Sequence, residues 1–235
     1  MKRKVIIIAI IVLALISGGG IVLYYNYENS HYIKTDDAQI SADMLTVMPR
    51  INGSITKWNT KVGERVSKDE ILGTQEIDTM LGSISATSAL NPAAEKAAKE
   101  LLINKASIKS PMDGKIIQTT ALKGQMASTS TNLAVVADMA NAYITANIKE
   151  GDINKVKIGQ KVDISIDAYP GETFAGKVGN IGQAAESIFS LLPKQNSTGN
   201  FTKVTQMIPV TIRIDGAADI DLMPGMNSTI KILIK

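Results

Sequence analysis

The chain has no cysteine, one histidine, one tryptophan and three phenylalanines in 235 residues. Without cysteine there is no disulfide, thiolate nucleophile, iron–sulfur ligation or lipid-modified N-terminal Cys, and a lone His31 makes a histidine-rich zinc site impossible. An excess of one charge is missing too. The 25 Lys and Arg face 22 Asp and Glu, a net +3 spread along the sequence, so no basic stripe stands ready to hold nucleic acid. There is no Walker or dinucleotide glycine motif and no G-x-S-x-G, and a Ser-His-Asp triad would have to draw on His31, which reads as a solvated linker residue. Asp36 and Asp37 have no partner group nearby in sequence and read as a polar strand entrance, not an acid/base pair or cation ligand. The chain reads as a non-enzyme with no cofactor and no metal.

What is present begins with three cations in residues 1–4, expected as a cytoplasmic tip, followed by residues 5–25 without a charge. Those 21 residues would span about 31 Å as a helix, which matches the roughly 30 Å of a bilayer's hydrocarbon. Tyr24, Tyr25, Tyr27 and Tyr32 follow where aromatic rings suit lipid headgroups, and the positive-inside rule keeps Lys2, Arg3 and Lys4 in the cytoplasm. The expectation is a single-pass anchor in contact with membrane lipid and a body outside the cytoplasm. A cleaved signal peptide ending near Ser17-Gly18-Gly19 is the alternative, and it also exports the body.

The 45% hydrophobic content is enough to bury a core in one or two units. After residue 34 the pattern is mainly β. Tyr143 to Ile148, Val162 to Ile166, Val210 to Ile214 and Ser228 to Ile234 alternate apolar and polar side chains as half-buried strands do, and Leu222 to Met226 reads as a turn. One segment breaks the period. Pro92–Ala106 is rich in Ala, Glu, Lys and Leu, with Asn91 as N-cap, Pro92 at the first helical position and Glu95 four residues before Lys99. Residues 77–90 read either as a loop or as the first, weaker arm of a short helical hairpin with its tip at Leu90, Asn91 and Pro92.

A repeat flanks that helix. Pro49-Arg-Ile-Asn-Gly-Ser-Ile55 with Gly63 is echoed by Pro111-Met-Asp-Gly-Lys-Ile116 with Gly124, and each pair of glycines is ten residues apart. Gly53, Gly63, Gly114 and Gly124 are expected at turns, with positive φ, of two strand-turn-strand halves that pack into one flattened barrel. The Ser128 to Asn132 run stands where a glycine turn is expected in the second half. Trp58 is expected in the core, the ten methionines form no stripe, and the asparagines of the Asn-x-Ser/Thr triplets serve turns.

Two half-motifs split by a helical insertion resemble the biotinyl/lipoyl-type domain of the membrane fusion proteins, also called periplasmic adaptor or HlyD-type secretion proteins. The EmrA-like branch, which serves multidrug exporters of the major facilitator type, is the most similar. The matching positions are Thr35, Asp36, Asp37 and Ala38; Pro193, Asn196 and Gly199 within a longer run from Leu191 to Val204; and Pro224 with Gly225. The resemblance implies a mainly β fold: a transmembrane helix, a lipoyl-like barrel-sandwich hybrid interrupted by a short α-helical hairpin, then an antiparallel β-barrel domain. In residue numbers the expected layout is anchor 5–25, linker and lead-in strand 26–45, half-motifs 46–77 and 110–137, hairpin 78–109 and barrel 138–235. It implies a multidrug or secretion efflux adaptor, a self-associating ring, mostly hexameric in the family, and a plasma-membrane exporter as partner, an ABC exporter being the other option. A fifteen-residue helix is only about 22 Å long, which argues against an outer-membrane channel as partner. It fits a one-membrane cell, an adaptor ending in the wall space or a shortened hairpin. No Met-Lys-Met occurs, which argues against a biotin or lipoyl carrier. The competing reading is an anchored surface module that binds wall polymer or peptide without a transporter.

Overall fold

The computed structural model describes residues 31–77, 92–189 and 205–234. The expected anchor, the first hairpin arm, Leu90, Asn91, Pro193, Asn196 and Gly199 lie outside the described residues. In chain order the elements are β1 (Tyr32–Ser41), β2 (Met44–Val47), β3 (Gly53–Trp58), β4 (Arg65–Val66), β5 (Ile71–Gln75), helix α1 (Pro92–Ala106), β6 (Ser107–Lys109), β7 (Gly114–Thr119), β8 (Met126–Ala127) and β9 (Ala134–Ala137). They continue with β10 (Tyr143–Lys149), helix α2 (Glu150–Ile153), β11 (Lys161–Ile166), β12 (Phe174–Ile181), β13 (Met207–Ile214) and β14 (Asn227–Leu233). The chain divides into two compact units, one of residues 42–142 with 217–221, the other of the remaining described residues.

In the first unit two four-stranded sheets, ordered β2-β9-β7-β4 and β6-β5-β3-β8, face one another. Ile55, Leu72, Ile108, Ile116, Leu133 and Val136 are fully buried between them, and Trp58 packs against that core. The period-2 strands explain this. β3 and β7 carry the same burial pattern, each with one fully buried isoleucine at its third position. Burying each such side chain contributes roughly 1.5–3 kcal/mol.

The second unit is a closed antiparallel barrel in the order β1-β10-β13-β12-β11-β14. Isoleucine is the commonest residue inside it, with Ile40, Ile144, Ile148, Ile164, Ile166, Ile212, Ile230 and Ile232 buried among smaller Ala and Val side chains. The strict alternation of β11 and β14 reflects one wet and one dry face. Residues 32–41, expected as a lead-in strand, are a full barrel member between β10 and β14. β1 escapes an alternation reading because its pairing with β14 shifts between Thr35 and Ala38. That extra residue lets Ile33, Ala38 and Ile40 all face inward. β12 is likewise invisible to a breaker count. Gly176 sits in mid-strand because a Cβ there would lie 2.6 Å from the Arg213 carbonyl oxygen and 2.7 Å from Ile164 Cδ1.

Candidate functional site: the interlocked half-motifs

The two halves of the repeat do not fold side by side. They exchange strands. β3 of the first half pairs with β8 of the second, Ser54 opposite Met126, and β4 of the first pairs with β7 of the second, Arg65 opposite Lys115. The backbone bonds obey the sequence repeat closely. Gly63 N–H donates to Ile116 O and Gly124 N–H to Ile55 O, both at 2.7 Å, while Ile116 N–H donates to Glu64 O and Ile55 N–H to Gln125 O, both at 2.9 Å. Equivalent side chains fasten equivalent loops: Asp113 Oδ1 accepts from Lys68 N–H at 2.8 Å, and Asn52 Oδ1 from Thr129 N–H at 3.2 Å. Gln75 Nε2 ties both halves, donating to the carbonyls of Gly53 and Ala127. Each half is therefore completed by the other, which places the two chain segments in one unit although a helical insertion separates them.

The four glycines do two different jobs. Gly63 and Gly124 hold φ of +90° and +85°, conformations that cost an L side chain about 1–2 kcal/mol. Gly53 and Gly114 do not have positive φ, contrary to the expectation for turns. They open strands where another backbone comes too close for a side chain. A Cβ on Gly114 would lie on the Ala137 carbonyl, 2.9 Å from its carbon and from Val136 Cγ1, and one on Gly53 would lie 3.0 Å from Glu76 O. The turn expected from glycine in the second half is closed by hydroxyls instead. Ser128 N–H donates to Thr131 Oγ1 at 2.9 Å, as Ser67 N–H donates to Glu70 Oε2 at 2.8 Å in the first half.

The insertion leaves and returns at one point, because β5 pairs with β6. Pro92, expected at a hairpin tip, is the first residue of α1 among the described residues. In α1 the Glu95–Lys99 pair closes at 2.6 Å, Ala106 alone is buried, and Leu101 and Ile103 are exposed. Thr35, Asp36, Asp37 and Ala38 form the β1 bulge. Thr35 Oγ1 accepts from Asp37 N–H and donates to Asn147 O, each at 3.1 Å, while Asp36 and Asp37 face outward. Pro224 and Gly225 form the turn before β14, Gly225 with φ +88° and its N–H on Ile40 O.

Among the described residues no group of three or more His, Asp or Glu side chains could hold a metal ion. The ion pair Lys115–Asp221 at 2.9 Å joins residues 217–221 to β7. The hydrogen bond from Lys115, and then its charge, hold the Asp221 carboxyl below its ordinary 3.8. A depressed folded pKa gives stability that is present above pH 3.8 and fades as pH falls through the lower folded value. Asp221→Asn is expected to remove that part of the acid sensitivity, read as urea midpoints measured against pH.

Three residues of this site escaped sequence reasoning. Gly73 and Gln75 have no like residue at the matching place of the second half, where Ala134 and Val136 stand, and Asp221 lies outside the repeat; Gly73 is needed because a Cβ would meet Trp58 Cε3 at 2.7 Å.

Residues 43–138 match the family model of a CzcB-like, barrel-sandwich hybrid domain, and residues 142–232 that of a YknX-like beta-barrel domain. YhbJ of Bacillus subtilis, an efflux-system component by name, is 38% identical over 209 residues, covering 87% of this chain and 81% of YhbJ. The multidrug export protein EmrA of Escherichia coli is 32% identical over 194 residues, 80% of this chain, but this chain spans only 45% of that protein. In fold, a crystallised MacA–MexA chimera carrying the Pseudomonas aeruginosa MexA α-hairpin is similar at TM-score 0.66 and 22% identity, over 87% of this chain and 82% of the chimera. With half-motifs interlocked around a helical insertion, a closed barrel as the second unit and relatives of this kind, the chain belongs to the membrane fusion protein family of efflux adaptors.

Proposed function

We propose that the chain is the membrane-anchored adaptor of a multidrug or secretion efflux system, and that it forms an oligomeric extracytoplasmic dock or conduit for a plasma-membrane exporter of the major facilitator type. The observation that carries this reading is the interlocked unit, in which the strands on either side of the insertion, β5 and β6, pair with each other. The apolar run of residues 5–25 supports the anchor. The likeness to EmrA supports the major facilitator partner, and transport energy then comes from the exporter.

Self-association is supported by a broken symmetry within the unit. At matching positions of the two halves, Leu122 stands where the first half has Lys61, and Met126 where it has Arg65. One set is apolar and exposed, Met126 at 72% and Leu122 at 69%. A head-to-tail ring lets the apolar set of one copy cover the aliphatic stems of the basic set on the next, which a two-fold dimer of like surfaces does not.

The test is purification of the tagged full chain in mild detergent from its own cell. A major facilitator exporter retained with it, and drug sensitivity on deleting its gene, are the expected results. Retention of an ABC exporter overturns the choice of partner, and no transporter with unchanged sensitivity overturns the adaptor reading.

A further inference from the structure

The segment that joins β10 to β11 closes one end of the barrel. Tyr32 opens β1 opposite Leu233, Lys149 closes β10 opposite Met207, and β11 starts at Lys161 with Val162 opposite Ile232, so these residues share that end. β10 and β11 have two strands between them either way around the closed order, and residues 150–160 must cross the end to join them. Two backbone bonds pin the crossing: Glu150 N–H donates to Gln206 O at 2.9 Å, and Gly159 N–H to Val178 O at 2.8 Å. Val156 is buried, while Ile158 stands outside, 67% exposed. A short turn of 3-10 helix, Glu186–Phe189, lies at the same end, because Glu186 accepts from Asn147 Nδ2 at 3.1 Å and Ser187 Oγ bonds to Gln206 Oε1. Its Ile188 is 70% exposed.

Among the described residues of the barrel unit three large apolar side chains are exposed, Ile158, Ile188 and Met223. Met223 is at the other end, in the turn whose Gly225 N–H bonds to Ile40 O. One exposed apolar residue is ordinary. Two on separate segments share the end at which the chain arrives from its apolar run, since Tyr32 stands seven residues after Tyr25, a reach of at most about 25 Å. Charges of both signs meet there, Lys149, Lys155 and Lys157 with Glu150, Asp152 and Glu186, so net charge does not single this end out. Its apolar surface does. We propose that this end of the barrel rests on the outer face of the bilayer, with Ile158 and Ile188 inserted below the headgroups and Tyr32 and Lys157 among them, each with an apolar body and a polar tip. The contact needs no particular headgroup charge. It rests on the reading of residues 5–25 as an anchor.

The test uses the absence of cysteine. Ile158→Cys, Ile188→Cys and Met223→Cys, each in the full chain and each labelled with a polarity-sensitive nitrobenzoxadiazole dye, are reconstituted without any exporter into phosphatidylcholine nanodiscs. All three positions are exposed, so the label displaces no core, and an unchanged melting curve confirms folding. Phosphatidylcholine spin-labelled near the top of its acyl chain is then mixed in as quencher. The expected result is a blue-shifted emission at 158 and 188 that is mostly lost to the quencher, with the label at 223 unshifted and unquenched. Equal emission and quenching at all three positions overturn the proposal. So does a label at 158 that stays in water until an exporter is added and is shielded only then, which would mark the end as a protein-docking surface. Incorporation separates the two readings: a chain that does not enter the nanodiscs refutes the anchor, whereas a chain held in them with unquenched labels at 158 and 188 refutes the barrel contact alone.

Discussion

Gly114→Val is expected to remove the folded protein from the cell and with it any export it supports. The strain is not conformational, since Gly114 has no positive φ; it is a collision. The first atom of any side chain would lie on the Ala137 carbonyl, with its carbon and Val136 Cγ1 both at 2.9 Å. Backbone cannot yield there without parting β7 from β9, and Gly114 is also the partner of Val66 in the exchanged β4–β7 pair. Both pairings of β7 are therefore damaged together. A cost of about 3 kcal/mol or more is expected, the upper range for a single change. Gly124→Ala is the informative contrast. Nothing lies within 4 Å of its Cβ and only its φ of +85° is unfavourable, so about 1–2 kcal/mol is expected. Denaturant unfolding of the two variants, with immunoblots of membrane fractions, checks the order; equal losses would mean that the close approach does not matter.

The second large effect follows from the matched isoleucines. Ile55 and Ile116 are both fully buried, at the same position of equivalent strands. Truncating either to alanine leaves a cavity in a core shared by the two halves and should cost about 2–5 kcal/mol. Because each half supplies strands to the other, neither substitution can be confined to its own half. Ile55→Ala/Ile116→Ala should therefore unfold the whole unit, since the summed loss reaches the roughly 5–15 kcal/mol that holds an ordinary domain. Two separate unfolding transitions in either single variant would speak against a shared core.

What could be read beforehand depended on how local the cause was. The helix Pro92–Ala106 was legible because Ala, Leu, Glu and Lys state their preference residue by residue, and the Glu95–Lys99 pair needs one turn only. Four barrel strands were legible because a wet and a dry face impose alternation. β1 was not recognised as a barrel member, because the bulge at Thr35 to Ala38 resets the phase in mid-strand. β12 was missed because Gly176 and Gly179 look like breakers, whereas Gly176 answers to the backbone of β13 lying against it. The ten-residue glycine spacing announced two equal halves. It carried no sign that they trade strands, nor that Gly53 and Gly114 serve close approach while Gly63 and Gly124 serve turns, because those causes lie in the other half of the chain. Likewise Thr131 closing the turn after β8 could replace a glycine only because its hydroxyl reaches the Ser128 amide.

The strand exchange is open to a direct measurement, since the chain has no cysteine to interfere. Ser54 opposite Met126 and Arg65 opposite Lys115 are antiparallel neighbours, within the roughly 4.4–6.8 Å Cα separation that a disulfide needs. Ser54→Cys/Met126→Cys and Arg65→Cys/Lys115→Cys, expressed separately and mildly oxidised, should each form an intrachain disulfide seen as a mobility shift that reductant reverses. Free thiols in both variants after oxidation, in protein that is folded by its melting curve, would show that the two halves do not complete each other.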